Sequence, residues 1–84
     1  MDKLLRRSQF VDLLPYKESK HFSEVKEGRF PQPIYRGKRM AFWAESEINI
    51  MLDAYINGAT DKRLQQISRS IEMRRVIQGE MYDE

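Results

Sequence analysis

The 84-residue sequence contains no cysteine. That absence excludes a disulfide frame, a thiolate nucleophile and any cysteine-based zinc site, so a folded core must come from apolar packing alone. It also fits a reducing, cytoplasmic setting. The sequence holds a single histidine, His21, which excludes a histidine metal pair and reads as a partly packed helix residue rather than a base or ligand. There is no Gly-rich phosphate loop and no nucleophile motif, so neither an enzyme nor a cofactor is expected. No apolar run approaches the roughly 20 residues that a membrane span requires, and "MDKLLRRSQF" lacks the long apolar segment of a secretory signal. A soluble, non-membrane chain is expected, and its length fits one compact domain.

What is present is unevenly distributed charge. The net value is only +2, too mild to name a partner, but residues 17–39 hold seven basic side chains against three acidic ones, whereas residues 40–84 hold five against eight. Positive charge concentrated in the middle of a small chain can collect on one face.

Along the chain, "SQFVDLLPY" offers Ser8 as a helix N-cap, with Phe10, Val11, Leu13 and Leu14 as apolar positions and Pro15 as an early stop. A second helix is expected over 17–27. Its apolar stripe holds Phe22 and Val25, with Tyr16 and His21 nearby, and Gly28 follows as its C-terminal glycine. "RFPQPIYRGKRMAFW" predicts two short strands about a turn at Gly37, because Pro31 and Pro33 exclude helix; Tyr35, Phe42 and Trp43, alternating with Met40, are expected in the core rather than as platforms for stacked bases. A third helix follows in "AESEINIMLDAYINGA", with Glu45 and Glu47 in its first turn and Ile48, Met51, Leu52 and Tyr55 on one stripe. Thr60 caps a fourth helix running to Gly79, which carries the narrow stripe Leu64, Ile67, Ile71. Residues 80–84 are expected as a flexible acidic tail.

The order of these elements, and above all "EGRFPQPI" at 27–34 followed by Arg39, Phe42, Trp43, Glu45, Ser46, Glu47 and Ile48, resembles the AlpA-type prophage regulators. These are small winged-helix proteins related to excisionases and, more distantly, to MerR-type DNA-binding domains. The resemblance covers about residues 5–56. It departs from the family pattern at Leu14-Pro15-Tyr16 in the turn, in "KESKHF" at the start of the second helix, where His21 replaces an apolar residue, and in residues 60–79, which extend past the usual domain.

The resemblance implies a mainly α fold with a small β-hairpin, a winged helix-turn-helix over 1–58; the residues beyond it read on their own as a C-terminal helical extension over 59–79 and the tail over 80–84. It implies sequence-specific binding of double-stranded DNA by a transcription regulator or an excisionase-like directionality factor, with the second helix in the major groove and the hairpin wing on the backbone or minor groove. The side chains available for contact are then Lys17, Glu18, Ser19, Lys20, Ser23 and Glu24 on the helix, Arg29 beyond it, and Arg36, Lys38 and Arg39 on the wing. An integrase or RNA polymerase is the implied protein partner, and a small footprint calls for a homodimer or a cooperative oligomer on DNA. Leu64, Ile67 and Ile71 either form a seam between protomers or fold back over their own domain. The alternative from another class is a winged-helix module that binds a regulator or integrase as protein, without specific DNA contact.

Overall fold

The computed structural model describes residues 2–37 and 39–82, with side chains through residue 77. Met1, Lys38 and residues 83–84 lie outside the described residues. The order is β1 (Leu4–Leu5), α1 (Arg7–Phe10) running into a 3₁₀ turn at Val11–Leu13, α2 (Glu18–Lys26), β2 (Ile34–Arg36), β3 (Met40–Ala44), α3 (Glu45–Ile56) and α4 (Asp61–Tyr82). This is the expected mainly α chain with a small sheet. The sheet has one strand more than expected: β1 joins the free side of β3, giving the antiparallel order β1-β3-β2, with Leu4 opposite Ala44 and Leu5 opposite Trp43.

The first helix, with its 3₁₀ continuation, spans about two turns, and it starts earlier than a cap at Ser8 would place it. Arg6 occupies the N-cap position, Gln9 Oε1 accepts the Arg6 N–H at 2.7 Å, and Ser8 lies within the helix instead of capping it. Thr60 does cap α4, its Oγ1 accepting the Arg63 N–H at 3.2 Å. That helix continues past Gly79 to Tyr82. α3 has no capping side chain at Ala44, and its first turn is served from a distance by Asp2, whose carboxylate accepts the Ser46 N–H at 3.1 Å and the Ser46 hydroxyl at 2.5 Å. These bonds hold the Asp2 carboxyl below its ordinary value.

The core has two parts. One is aromatic: Phe10, His21, Phe30 and Trp43 are all fully buried, and they meet mostly edge to face, with the Phe10 and Trp43 centroids 5.3 Å apart and those of His21 and Phe30 4.4 Å apart. Edge-to-face contacts suit the ring quadrupoles. Trp43 Nε1–H donates to the Pro31 carbonyl at 2.8 Å, which removes the cost of burying that donor and fastens the proline-rich loop to β3. The other part is aliphatic, formed by Ile48, Met51 and Ala54 of α3 with Leu64 and Ile71 of α4. Each large side chain so buried contributes roughly 1.5–3 kcal/mol.

Two glycines set the geometry around α2 and the hairpin. Gly28 takes φ +78° as the helix ends, letting the Arg29 N–H reach back to the Glu24 carbonyl at 2.9 Å. Gly37 takes φ +74° at the hairpin turn, a conformation that costs other residues energy.

Several apolar expectations are corrected. Phe22 is 55% exposed and Tyr35 63% exposed, so neither is core. On α2 the inward stripe is His21, Glu24 and Val25, one residue out of phase with a stripe drawn through Phe22. On the hairpin, Trp43 lies at the base, where the helices cover it, whereas Tyr35 and Met40 lie near the tip, beyond their reach. Leu13 is likewise exposed.

Candidate nucleic-acid interface

The outward face of α2 follows from that phase. With His21, Glu24 and Val25 turned inward, Glu18, Ser19, Lys20, Phe22, Ser23 and Lys26 are left exposed, preceded by exposed Lys17 at the N-cap. The hairpin is the second projecting surface. Ile34 pairs with Phe42, Tyr35 with Ala41 and Arg36 with Met40, which puts exposed Arg36 and Arg39 on either side of the turn at Gly37. Lys38 belongs to the same run but lies outside the described residues.

Two residues expected at the interface are committed elsewhere. Glu24 is 4% exposed and accepts from Arg29 Nε at 2.9 Å and Nη2 at 2.7 Å, with Lys20 Nζ at 3.6 Å. A buried carboxylate needs such partners, and Arg29 is the fork that supplies them, so the pair holds the end of α2 together and leaves neither side chain free to reach a groove. The Glu24 bond is also the main reason the Arg29 guanidinium is raised above its ordinary value. Leu64 and Ile71 are likewise buried in the chain's own core, with Ile67 packed against it. Of the two uses open to that stripe, this is the intrachain one, which removes Leu64 and Ile71 as a seam between protomers.

The structure also brings together residues that the sequence reading passed over. Arg7 of α1 lies over the Phe22 ring at 3.8 Å and within 5.1 Å of the Trp43 ring centroid, and its Nε–H donates to His21 Nδ1 at 2.7 Å. A neutral imidazole that accepts at Nδ1 carries its proton on Nε2; that nitrogen is buried with no hydrogen-bond partner among the described residues. Burial first, and then the Arg7 charge, push His21 down to about 4. Burial also lowers the Arg7 guanidinium from its ordinary value, an effect opposed by nearby Glu18 and by Tyr35. The only sequence signals were the Arg6-Arg7 doublet and an aromatic beside the histidine; a contact across 14 residues is invisible to local periodicity.

Elsewhere, the described residues contain no group of three or more metal-ligating side chains, and no helix among them is long and apolar enough to cross a membrane. The 570 Å³ depression lined by Gln66, Arg69, Ser70, Met73, Arg74 and Ile77 is an open face of α4 alone.

No curated protein and no solved structure matches the chain. The family model of the prophage CP4-57 regulatory protein (AlpA) matches residues 3–52, a span that includes β1, both helices of the helix-turn-helix, the hairpin and most of α3 and leaves α4 beyond it. Carrying that family's model over more than half its length, the chain belongs to the AlpA family of prophage regulatory proteins.

Proposed function

We propose that this regulator binds double-stranded DNA sequence-specifically, laying α2 along the major groove while the hairpin tip rests on the phosphate backbone or in the neighbouring minor groove. The observation that carries the reading is where the exposed cations of residues 17–39 stand. Lys17, Lys26, Arg36 and Arg39 are exposed and in no ion pair among the described residues, whereas Arg29 is bound to Glu24, with Lys20 Nζ 3.6 Å from the same carboxylate. Unpaired cations occur elsewhere too, but these lie along the outward side of α2 and on the wing, two projecting surfaces where phosphates would relieve their mutual repulsion. Ser19 and Ser23 are placed for hydrogen bonds to bases or phosphates, and Lys20 for guanine edges or backbone; Glu18 can accept from cytosine.

Such a protein acts either on a promoter or, like an excisionase, by bending DNA beside an integrase. Its small footprint favours several copies on neighbouring sites over a single tight complex. A cytoplasmic location follows from a DNA target, and RNA polymerase or an integrase is the matching protein partner.

The test is fluorescence-anisotropy titration of the intact protein onto duplexes enriched by it from a random-sequence pool, beside scrambled duplexes, over a series of salt concentrations. The enriched duplexes should bind more tightly than the scrambles, affinity should fall steeply with salt, and an Arg36→Ala, Arg39→Ala variant should show a shallower slope by about 2 if each arginine neutralises one phosphate. Failure of the pool to enrich, or binding that ignores salt, would count against DNA and for a protein-binding module, whose exposed apolar side chains would be Phe22, Tyr35 and Met40.

A further inference from the structure

Between α2 and the wing lies a guanidinium that is held as though for a ligand. Three contacts fix Arg7: the Nε–H bond to His21 Nδ1 at 2.7 Å, the Phe22 ring beneath it at 3.8 Å, and the Trp43 ring at 5.1 Å. Arginine side chains lose much rotamer freedom when immobilised, and here that loss is already incurred in the free protein. Two of the three supports are themselves rigid, because His21 and Trp43 are fully buried in the aromatic core.

The same contacts leave the other end of the fork unused. Among the described residues the Arg7 side chain is in no ion pair, and its one side-chain hydrogen bond is that from Nε. It is half-buried, so its charge is partly removed from water without a carboxylate in bonding contact to compensate, a state that gains from an arriving anion. The surroundings say which anion. Arg7 abuts Phe22, whose ring is exposed at the flank of the outward face of α2, and Tyr35, an exposed residue of the wing, lies within its electrostatic reach. A guanidinium between a groove-reading helix and a backbone-reading wing meets the sugar-phosphate strand that runs between the two contacts.

Resting on the DNA-binding reading above, we infer that Arg7 is a phosphate-binding residue of this regulator, its Nη1 and Nη2 donors taking one backbone phosphodiester, and that buried His21 is the positioning residue that aims it. His21 serves as an acceptor only when neutral, and its apolar surroundings keep it so. The bond to Nε orients the guanidinium plane, and the Phe22 face supports it from one side. Glu18 is the opposing element: its charge already acts on Arg7 and disfavours a phosphate at this place.

The test uses intact protein and duplexes enriched by it from a random-sequence pool, with thermal unfolding of every variant recorded alongside. Arg7→Met keeps the packing on Phe22 and removes the charge. It should weaken binding about tenfold on enriched and scrambled duplexes alike and reduce the slope of log K against log salt by about 0.9, the loss of one phosphate contact. Arg7→Lys should restore the slope but not the full affinity, since a lysine lacks the fork. His21→Leu should weaken binding with its salt slope preserved, because the charge is present but no longer aimed. On scrambled duplexes, where Glu18 reads no base, Glu18→Gln should tighten binding. On a duplex with single neutral methylphosphonate linkages, one position should weaken wild type and leave Arg7→Met unaffected. If wild type binds and folded Arg7→Met matches it in affinity and slope, the inference is overturned and the DNA reading stands. If the pool never enriches with wild type, the DNA reading and the inference fall together.

Discussion

Arg75 on α4 grips Glu47 on α3 with two nearly parallel hydrogen bonds, Nε to Oε2 at 2.8 Å and Nη2 to Oε1 at 2.7 Å. Its remaining donor, Nη1, reaches the Gln32 carbonyl at 2.6 Å, and Glu47 in turn accepts the Ala44 N–H at the start of α3 at 3.1 Å. One side chain from the last helix thus ties together the proline-rich loop, the end of β3 and the first turn of α3. The pair is largely screened from solvent, with 20% and 12% of the two side chains exposed. Removing Arg75 leaves a sheltered carboxylate without its cation, and Arg75→Met should cost about 2–3 kcal/mol in urea unfolding. An unchanged midpoint would show that α4 rests on the domain without supporting it.

The burial of His21 makes stability depend on pH with a definite sign. The unfolded chain takes up a proton near 6.5 and the folded chain only near about 4, so between these values the unfolded state binds more protons. The stabilisation is complete above pH 6.5, declines as pH falls towards 4 and changes no further below that. Its full extent is on the order of 3 kcal/mol. Its neighbours Arg7 and Glu24 act on it in opposite directions. His21→Leu should flatten this part of the profile, which urea midpoints collected from pH 4 to 7 would show; a variant with the wild-type slope would place the titrating group elsewhere.

Tyr16 and Tyr55 join the segment before α2 to α3 through a hydroxyl–hydroxyl bond of 2.6 Å, with their rings edge to face at 5.8 Å. Burial raises both phenols above their ordinary values. Tyr16→Phe and Tyr55→Phe should each lower stability by about 1 kcal/mol, and the double variant should lose less than the two together, since it leaves no orphaned hydroxyl. Strict additivity in thermal unfolding would mean the bond does not persist in solution.

Arg29 separates structural from interfacial charge. Because it is bound to buried Glu24, Arg29→Ala should lower the unfolding midpoint while leaving the salt slope of DNA binding close to that of wild type. Arg36→Ala should do the reverse. If Arg29→Ala instead flattened the slope without affecting stability, Arg29 would be a phosphate contact after all.

Much of this was legible in the residues, and the exceptions share a cause. Most of the punctuation was local and was read correctly, since Gly28 ends α2, Gly37 turns the hairpin and Thr60 caps α4, although Ser8 lies inside α1 and α4 runs past Gly79. The apolar phase of α2 was read only in part: Val25 and a packed His21 were placed on the inward side, but Phe22 was put there with them and lies outside. The ring cluster around Phe30 and Trp43 takes the histidine in fully and leaves Phe22 out. Strand β1 was missed for a similar reason. Two residues carry no alternation, and Leu4 and Leu5 become a strand only because β3, forty residues on, presents an unpaired edge. Of the candidate interface, the exposure of Arg36, Arg39 and the polar residues of α2 agrees with what the sequence suggested. The fates of Glu24, Arg29, Leu64 and Ile71, and the whole of the Arg7 cradle, depended on contacts between elements.

The hydrogen bond between Arg7 and His21 also constrains how this chain can diverge. If Arg7 is lost first, an imidazole whose Nε2 is already unpartnered is left buried with neither nitrogen bonded, a costly intermediate. If His21 gives way first to an apolar side chain, the core is relieved and only the aim of Arg7 suffers. Divergence is therefore directional: position 21 is the one free to change first, and position 7 follows. Relatives with an aliphatic residue at the first position should carry a wider range of side chains at the second, and those that keep the histidine should keep the arginine.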